Sequence, residues 1–297
     1  MKNHFTRRRF IEKSLIGSAG LATMSFYSPL EENRKYSLKL GLVTYQWGRD
    51  WDLPTLIKNC EIAGYGAVEL RTTHSHGVET TLNAAQRAEV KKRFANSPVT
   101  CVGYGSNFEY HNPDQSVLRE HIEQTKEYVK LCKDIGATGI KVKPNALPPE
   151  VPEEKTIAQI AAALNEVGRF AGDYGQLIRL EPHGKGTSEL PVIRAIYDQV
   201  TEPNVKICWN CNTVDMNPPG IEGNFRLVSK WIGDTVHVRE MNTGDYPYQQ
   251  LFNLLAGNSF KGWILLEGRV IPGDRIAAMK EQLSVFNELV ANVKKLK

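Results

Sequence analysis

The feature that most constrains this chain is a rhythm. From Leu38 onward, short apolar runs alternate eight times with longer amphipathic segments, and most runs stop on polar or charged residues. The expected strands are 39–45, 66–71, 98–104, 139–143, 177–181, 204–209, 235–239 and 262–267. Helical periodicity falls near 53–63, 83–94, 115–135, 154–173, 189–200, 222–232, 246–256 and 272–294. Residues 63–70 (AGYGAVEL) and 135–142 (IGATGIKV) repeat one unit: helix end, glycine turn, strand. Asn83 and Pro113–Asp114 stand where helix starts are expected, and Gly64, Gly136 and Gly175 where helices stop. Eight such βα units predict an α/β fold, a (β/α)8 TIM barrel. The loop after the first strand, TYQWGRDWD, lacks the glycine-rich phosphate motif that a doubly wound sheet would want there.

Composition sets outer bounds. With 297 residues, 41% hydrophobic and 24% charged, the chain can bury a large core. The net charge of +4 sits partly in Arg7, Arg8 and Arg9 and in Lys294, Lys295 and Lys297. The middle is then close to neutral, which gives no support to a nucleic-acid partner. Five scattered cysteines, an odd number, argue against a disulfide framework. Cys208 and Cys211 form a C-x-x-C, but in and just beyond an apolar run, so buried barrel thiols are expected rather than a redox pair.

Residues 6–13, TRRRFIEK, resemble a twin-arginine export signal: Thr6, Arg7, Arg8, Phe10, Ile11 and Lys13 occupy its main positions. The mild apolar stretch from Leu15 to Phe26 is too short for a membrane span. The division expected is a signal and linker over 1–36 and a barrel over 37–297, with delivery to the periplasm or otherwise outside the cytosol.

In a barrel, the site is built from the C-terminal strand ends. Read strand by strand, those ends carry Tyr45; Glu69 and Arg71; Tyr104 and Asn107; Lys141 and Lys143; Glu181 and His183; Asn210 and Asn212; His237 and Arg239; and Glu267. A carboxylate closing an apolar strand is costly unless something positive pairs with it. One divalent metal shared by Glu181, His237 and Glu267 would satisfy all three, and mixed oxygen and imidazole donors suit Mn, Mg, Co or Zn. The competing expectation is pairing with Arg71, Lys141, Lys143, Arg239 or Arg269. Tyr45, Trp47 and Trp51 form either an aromatic platform for a ligand or a packed rim.

The motifs at 181–183 (E-x-H), 205–213 (VKICWNCNT), 236–240 (VHVRE) and 262–268 (GWILLEG) resemble those of the sugar isomerase/epimerase superfamily of xylose-isomerase-like TIM barrels, over about 38–294. The resemblance implies metal ligands at Glu181, Asn210, His237 and Glu267. The chain departs from it in carrying Asn210 where most members have Asp, Thr213 where many have His, and Arg239 in place of the usual Lys. It also implies a mechanism in which the metal polarises the carbonyl of a hydroxy-carbonyl sugar and a carboxylate removes the adjacent proton. Glu181 and Glu267 are then the acid/base pair, with Lys143 and His183 as candidates for a second proton carrier or for binding substrate hydroxyls. Tyr45, Glu69, Arg71, Tyr104, Asn107, Lys141, Asn212 and Arg239 are expected to bind substrate. The expected activity is isomerisation or epimerisation of a non-phosphorylated sugar or sugar derivative, a small-molecule carbohydrate. One alternative is a 3-keto-glycoside lyase or hydratase working by β-elimination. Another is a non-catalytic exported carbohydrate-binding barrel. The DNA-repair branch of the superfamily needs a histidine-rich multi-zinc cluster that this sequence does not offer.

Overall fold

The computed structural model describes residues 35–294. The twin-arginine motif and most of the linker therefore lie outside the described residues. The barrel strands are β1 (Ser37–Val43), β2 (Ala67–Arg71), β3 (Thr100–Glu109), β4 (Gly139–Lys143), β5 (Leu177–Leu180), β6 (Val205–Asn210), β7 (Ile232–Val238) and β8 (Lys261–Leu266). The helices are α1 (Leu53–Ala63), α2 (Ala84–Ala95), α3 (Gln115–Ile135), α4 (Glu153–Asp173), α5 (Leu190–Tyr197), α6 (Ile221–Val228), α7 (Tyr248–Gly257) and α8 (Arg275–Ala291). The strands pair in parallel, each with its sequence neighbour, and β1 closes the ring against β8. This is the eight-stranded barrel that the alternation predicts.

Local chemistry sets the boundaries. Asp52 caps α1 by accepting the Thr55 N–H at 2.9 Å, and Asn83 and Gln86 cap α2 reciprocally. Asp274 accepts the Ala277 N–H, so α8 begins at Arg275 rather than at 272. Strand β3 runs beyond the expected 104 because the Ser106 hydroxyl donates to the Lys141 carbonyl at 2.6 Å, which holds β3 on β4. A two-residue ladder, Asn145–Ala146 with Gly184–Lys185, is an addition that periodicity did not signal.

The two faces of the strands differ in kind. Leu40, Leu42, Val68, Leu70, Ile140, Val142, Ile178, Leu180, Val236, Val238, Ile264 and Leu266 join the main core between sheet and helices. The opposite face forms only a small apolar cluster of Val43, Ala67, Val102 and Leu265. Beside that cluster the lumen holds charged and titratable side chains: Glu69, Lys141, Arg179 and His237 are all fully buried. Arg179 closes the lower end, donating to Asp234 Oδ1 and Oδ2 at 2.8 Å and to the Val102 carbonyl at 3.1 Å. Its guanidinium needs the space left by glycine: a Cβ on Gly139 would lie 2.9 Å from Arg179 Nη1 and 2.4 Å from the Leu177 carbonyl oxygen. Gly139→Ala is therefore expected to cost about 1–3 kcal/mol, the range for overpacking a filled core, as a lower urea midpoint with unchanged slope.

Candidate active site at the strand ends

Period-two alternation turns Glu69, Lys141, Lys143 and His237 inward on one side of the sheet. Register then brings them level: Asn210 pairs with His237, and His237 with Leu265, two residues before Glu267. His237 Nδ1 lies 3.5 Å from Glu181 Oε1 and 3.8 Å from Glu267 Oε2. One donor atom from each of these three residues falls within 4.8 Å of the others, the one group of that kind among the described residues.

The imidazole is oriented from behind. His237 Nε2 lies 3.1 Å from Glu69 Oε1, with both side chains fully buried. Gly105 makes room for that carboxylate, since a Cβ there would come within 2.5 Å of Glu69 Oε1. Burial would raise the Glu69 carboxyl, but His237, Lys141 and Arg179 outweigh it and hold the group below its usual value. Burial likewise works against charge on Glu181. Lys141 above all, then His237 and Lys143, hold its carboxyl well below the ordinary range. Lys141 Nζ sits 2.5 Å from Glu181 Oε2 and 3.2 Å from the Ser106 carbonyl oxygen. Burial would lower the His237 pKa, and Cys208, Glu69 and Glu181 instead push it well above the usual imidazole range. The pocket of acid oxygens thus demands positive charge at one point, and His237 Nδ1 is buried there without a hydrogen bond. Two carboxylates and an unbonded imidazole nitrogen form a donor set that fits a divalent cation.

Above this group opens a cavity of 160 Å³ lined by Tyr45, Arg71, Lys143, Glu181, His183, Asn210, Asn212, Glu267 and Arg269. Arg71 Nη1 donates to Glu267 Oε1 at 3.1 Å and its Nη2 to Asn107 Oδ1 at 2.9 Å, and the guanidinium lies 5.0 Å from the Tyr45 ring centre. Lys143 Nζ donates to the same Asn107 oxygen at 3.0 Å. Burial first, and Lys141 next, push the Lys143 ammonium down to about 8. Asn210 Nδ2 (3.5 Å) and Asn212 Nδ2 (2.9 Å) both point to the Pro182 carbonyl oxygen. His183 Nδ1 is 2.6 Å from Asn145 Oδ1 across the short extra ladder.

Several expected substrate contacts are placed elsewhere. Glu69 and Lys141 are fully buried beneath the cavity and act on His237 and Glu181 instead. Tyr104 is also fully buried, its hydroxyl donating to the Val78 carbonyl at 2.6 Å on the helix side of the sheet. Asn107 does not line the cavity but bridges Arg71 and Lys143 at its edge. Arg239 does not line it either, and its Nε is buried without a partner. Trp47 and Trp51 are packed rim residues: Trp47 Nε1 donates to the Val270 carbonyl at 2.6 Å, and Arg275 stacks on Trp51. Cys208 and Cys211 are buried free thiols, as expected.

Sequence reasoning missed Thr44, Asn145 and Asp215. The Thr44 hydroxyl accepts the Arg71 N–H at 2.8 Å, which fixes the end of β2. Asp215 folds the loop after β6 by accepting from Asn212 N–H at 3.0 Å and Tyr246 O–H at 2.6 Å. The spacing Asn212 to Asp215 is the one local signal that could have found it.

The fold and this strand-end group of carboxylates and imidazole define a TIM barrel with an acid–imidazole centre. The model of the xylose isomerase-like TIM barrel family matches residues 57–289, and the chain belongs to that family. A curated relative, inosose isomerase of Bacillus velezensis, is 21% identical over 237 residues, 78% of each chain. Two solved structures share the fold. One is a 3-keto-D-glucoside 4-epimerase from E. coli, with TM-score 0.71 and 15% identity, covering 85% of this chain and 100% of that one. The other is the IOLI protein with a bound zinc atom, with TM-score 0.73 and 17% identity, covering 87% and 100%.

Asp215 supplies a pH test of the loop. Burial pushes its carboxyl up to about 7 against the pull of Tyr246, Asn212 and Arg239. The folded chain therefore keeps a proton there that the unfolded chain has already lost. The stabilisation is complete below the ordinary carboxylate range and is lost as pH rises through about 7. The slope inside that window is about 1.4 kcal/mol per pH unit. Urea-unfolding free energies of wild type minus Asp215→Asn are expected to fall with that slope from pH 5 to about 7 and to level off toward pH 8, and parallel curves would contradict it.

Proposed function

We propose that this isomerase/epimerase-like enzyme acts on a non-phosphorylated sugar or sugar derivative, in a metal-dependent reaction that moves a proton next to a carbonyl. The observation that carries this reading is the convergence of Glu181 and Glu267 on the buried, unbonded Nδ1 of His237 beneath a small cavity. Glu181, Asn210, His237 and Glu267 would hold the ion. The amide nitrogen of Asn210 is turned to Pro182, which leaves its oxygen available. When bound, a divalent ion supplies Lewis-acid polarisation of the substrate carbonyl. The curated inosose isomerase and the zinc-bearing IOLI structure support both parts of the proposal.

The chain's own residues do the rest. Lys141 and Glu69 keep Glu181 ionised and His237 oriented, so neither has to reorganise during the reaction. One carboxylate takes the proton from the carbon beside the carbonyl, and its return to another face or carbon gives the epimer or isomer. Glu181 and Glu267 are the pair at hand. Lys143 and His183, which line the same cavity, reach substrate hydroxyls or carry the second proton. Tyr45, with Arg71 behind it, offers an aromatic face to the sugar ring.

A second reading is β-elimination from a 3-keto-glycoside. The same C–H bond gives its proton to a carboxylate, its electron pair passes through the enolate into a C=C bond conjugated with the carbonyl, and the β C–O bond breaks to release the aglycone, whose oxygen takes a proton from an acid of the site. The likeness to a protein named for a 3-keto-glucoside supports that substrate class. Export by the twin-arginine route is part of the proposal and rests on residues 6–13 alone. No helix among the described residues is long and apolar enough to cross a membrane.

The test is metal analysis of the purified protein, followed by proton NMR in D2O with free ketoses and with 3-keto-glycosides. Deuterium entering a free ketose is expected, and aglycone release would select elimination. Glu267→Gln is expected to slow exchange by about 10²–10⁴-fold. Unchanged exchange in that variant, with no metal bound to wild type, would sink the mechanism. Glu69→Gln is expected to weaken metal affinity by about 10–100-fold, the usual effect of removing the partner behind a ligating histidine. Titration against a competing chelator would measure this.

A further inference from the structure

The walls of the cavity carry more positive charge than their acids match. Three cations line it, Arg71, Lys143 and Arg269, against two carboxylates, Glu181 and Glu267. Both carboxylates already have partners: Glu181 has Lys141 at 2.5 Å and Glu267 has Arg71 at 3.1 Å. Lys143 and Arg269 have no carboxylate within 4.0 Å among the described residues. The nearby Glu240 is occupied, accepting the backbone N–H groups of Arg269 (2.8 Å) and Val270 (3.1 Å). Asn210 and Asn212 add donors and acceptors but no charge.

The cations are also held close together. Arg71 Nη2 and Lys143 Nζ converge on a single neutral oxygen, Asn107 Oδ1, at 2.9 and 3.0 Å. Lys143 is only 8% exposed. A buried ammonium beside a guanidinium, sharing one amide oxygen, is unfavourable by itself and favourable beside an anion. Proton abstraction places one negative charge on the substrate, and two unmatched cations leave room for another. A cation held by Glu181 and Glu267 would add to the surplus.

Resting on the proposed sugar reaction, we infer that the natural substrate is an acidic sugar, whose carboxylate is received by Lys143 with Arg71 and Arg269 at the cavity wall. A carboxylate matches the planar, bidentate donors of arginine. The cavity of 160 Å³ lies well below the ~300 Å³ at the lower end of ordinary ligand pockets. That size favours one sugar unit with a compact anionic group over a sugar phosphate.

The test is calorimetric binding of three probes to the full chain: D-glucuronate, D-glucose and D-glucose 6-phosphate. Glucuronate is expected to bind about 10–100-fold more tightly than glucose, the effect of one or two charge-assisted hydrogen bonds. Lys143→Met is expected to bring that ratio down toward one. Arg269→Ala, at an exposed position, is expected to lower it about threefold or more and serves if the first variant fails to fold. Equal affinity for glucuronate and glucose would overturn the inference, and tighter binding of the phosphate would overturn the carboxylate assignment. Deuterium uptake by either a neutral ketose or the acidic ketose D-fructuronate, measured on the same protein, tests the reaction separately. Uptake without a glucuronate preference removes only the acidic substrate, and the preference without uptake removes only the reaction.

Discussion

Everything at this site hangs on the buried pair of Lys141 and Glu181. An ammonium and a carboxylate at 2.5 Å inside a barrel have each given up their water, a cost of several kcal/mol per ion before mutual attraction and hydrogen bonds offset it. Replacing both by aliphatic side chains would satisfy a stability argument equally well, so stability does not explain the pair. Its value lies in position. Lys141 fixes one oxygen of Glu181, which leaves the other beside His237 Nδ1, and Glu69 fixes the opposite nitrogen of the same ring. The lumen is in effect a salt-bridged chain running from Lys141 through Glu181 and His237 to Glu69.

That chain explains the unusual split of the core. Most barrels fill the lumen with branched aliphatic layers. Here the aliphatic residues are concentrated between sheet and helices, and the lumen keeps a small apolar cluster around a charged axis. Arg179 and Asp234 close one end, and the acid–imidazole group forms the other.

Much of this was legible in the sequence. The eightfold alternation, the helix caps at Asn83 and Asp114, and the glycine stops at Gly64 and Gly136 all depend on local geometry, and local geometry leaves local marks. Glu181, His237 and Glu267 were readable because each interrupts or ends an apolar strand. What was not legible is depth. Alternation places Glu69, Lys141 and Lys143 on the inner face but does not say which lies under the cavity and which lines it, because that depends on strand stagger. Tyr104 falls on the outer face because β3 carries an extra residue between Cys101 and Gly103, a register shift that reverses the alternation set by Val102. The pairing of Asn107 with both Arg71 and Lys143 joins residues 36 apart in sequence on each side, and no periodicity records it.

The seam between β1 and β8 has a consequence for how the molecule is made. Trp47 bonds to Val270, and Arg275 grips the Trp47 carbonyl and Asp50, so the first and last strands are stitched together by loops 220 residues or more apart in sequence. Closing so long a loop carries a chain-entropy cost that only the finished seam repays. Glu267 arrives with the final strand, and Glu69, which orients His237, belongs to the second. No partial barrel holds the whole site, so a ligand that requires it discriminates finished molecules from unfinished ones.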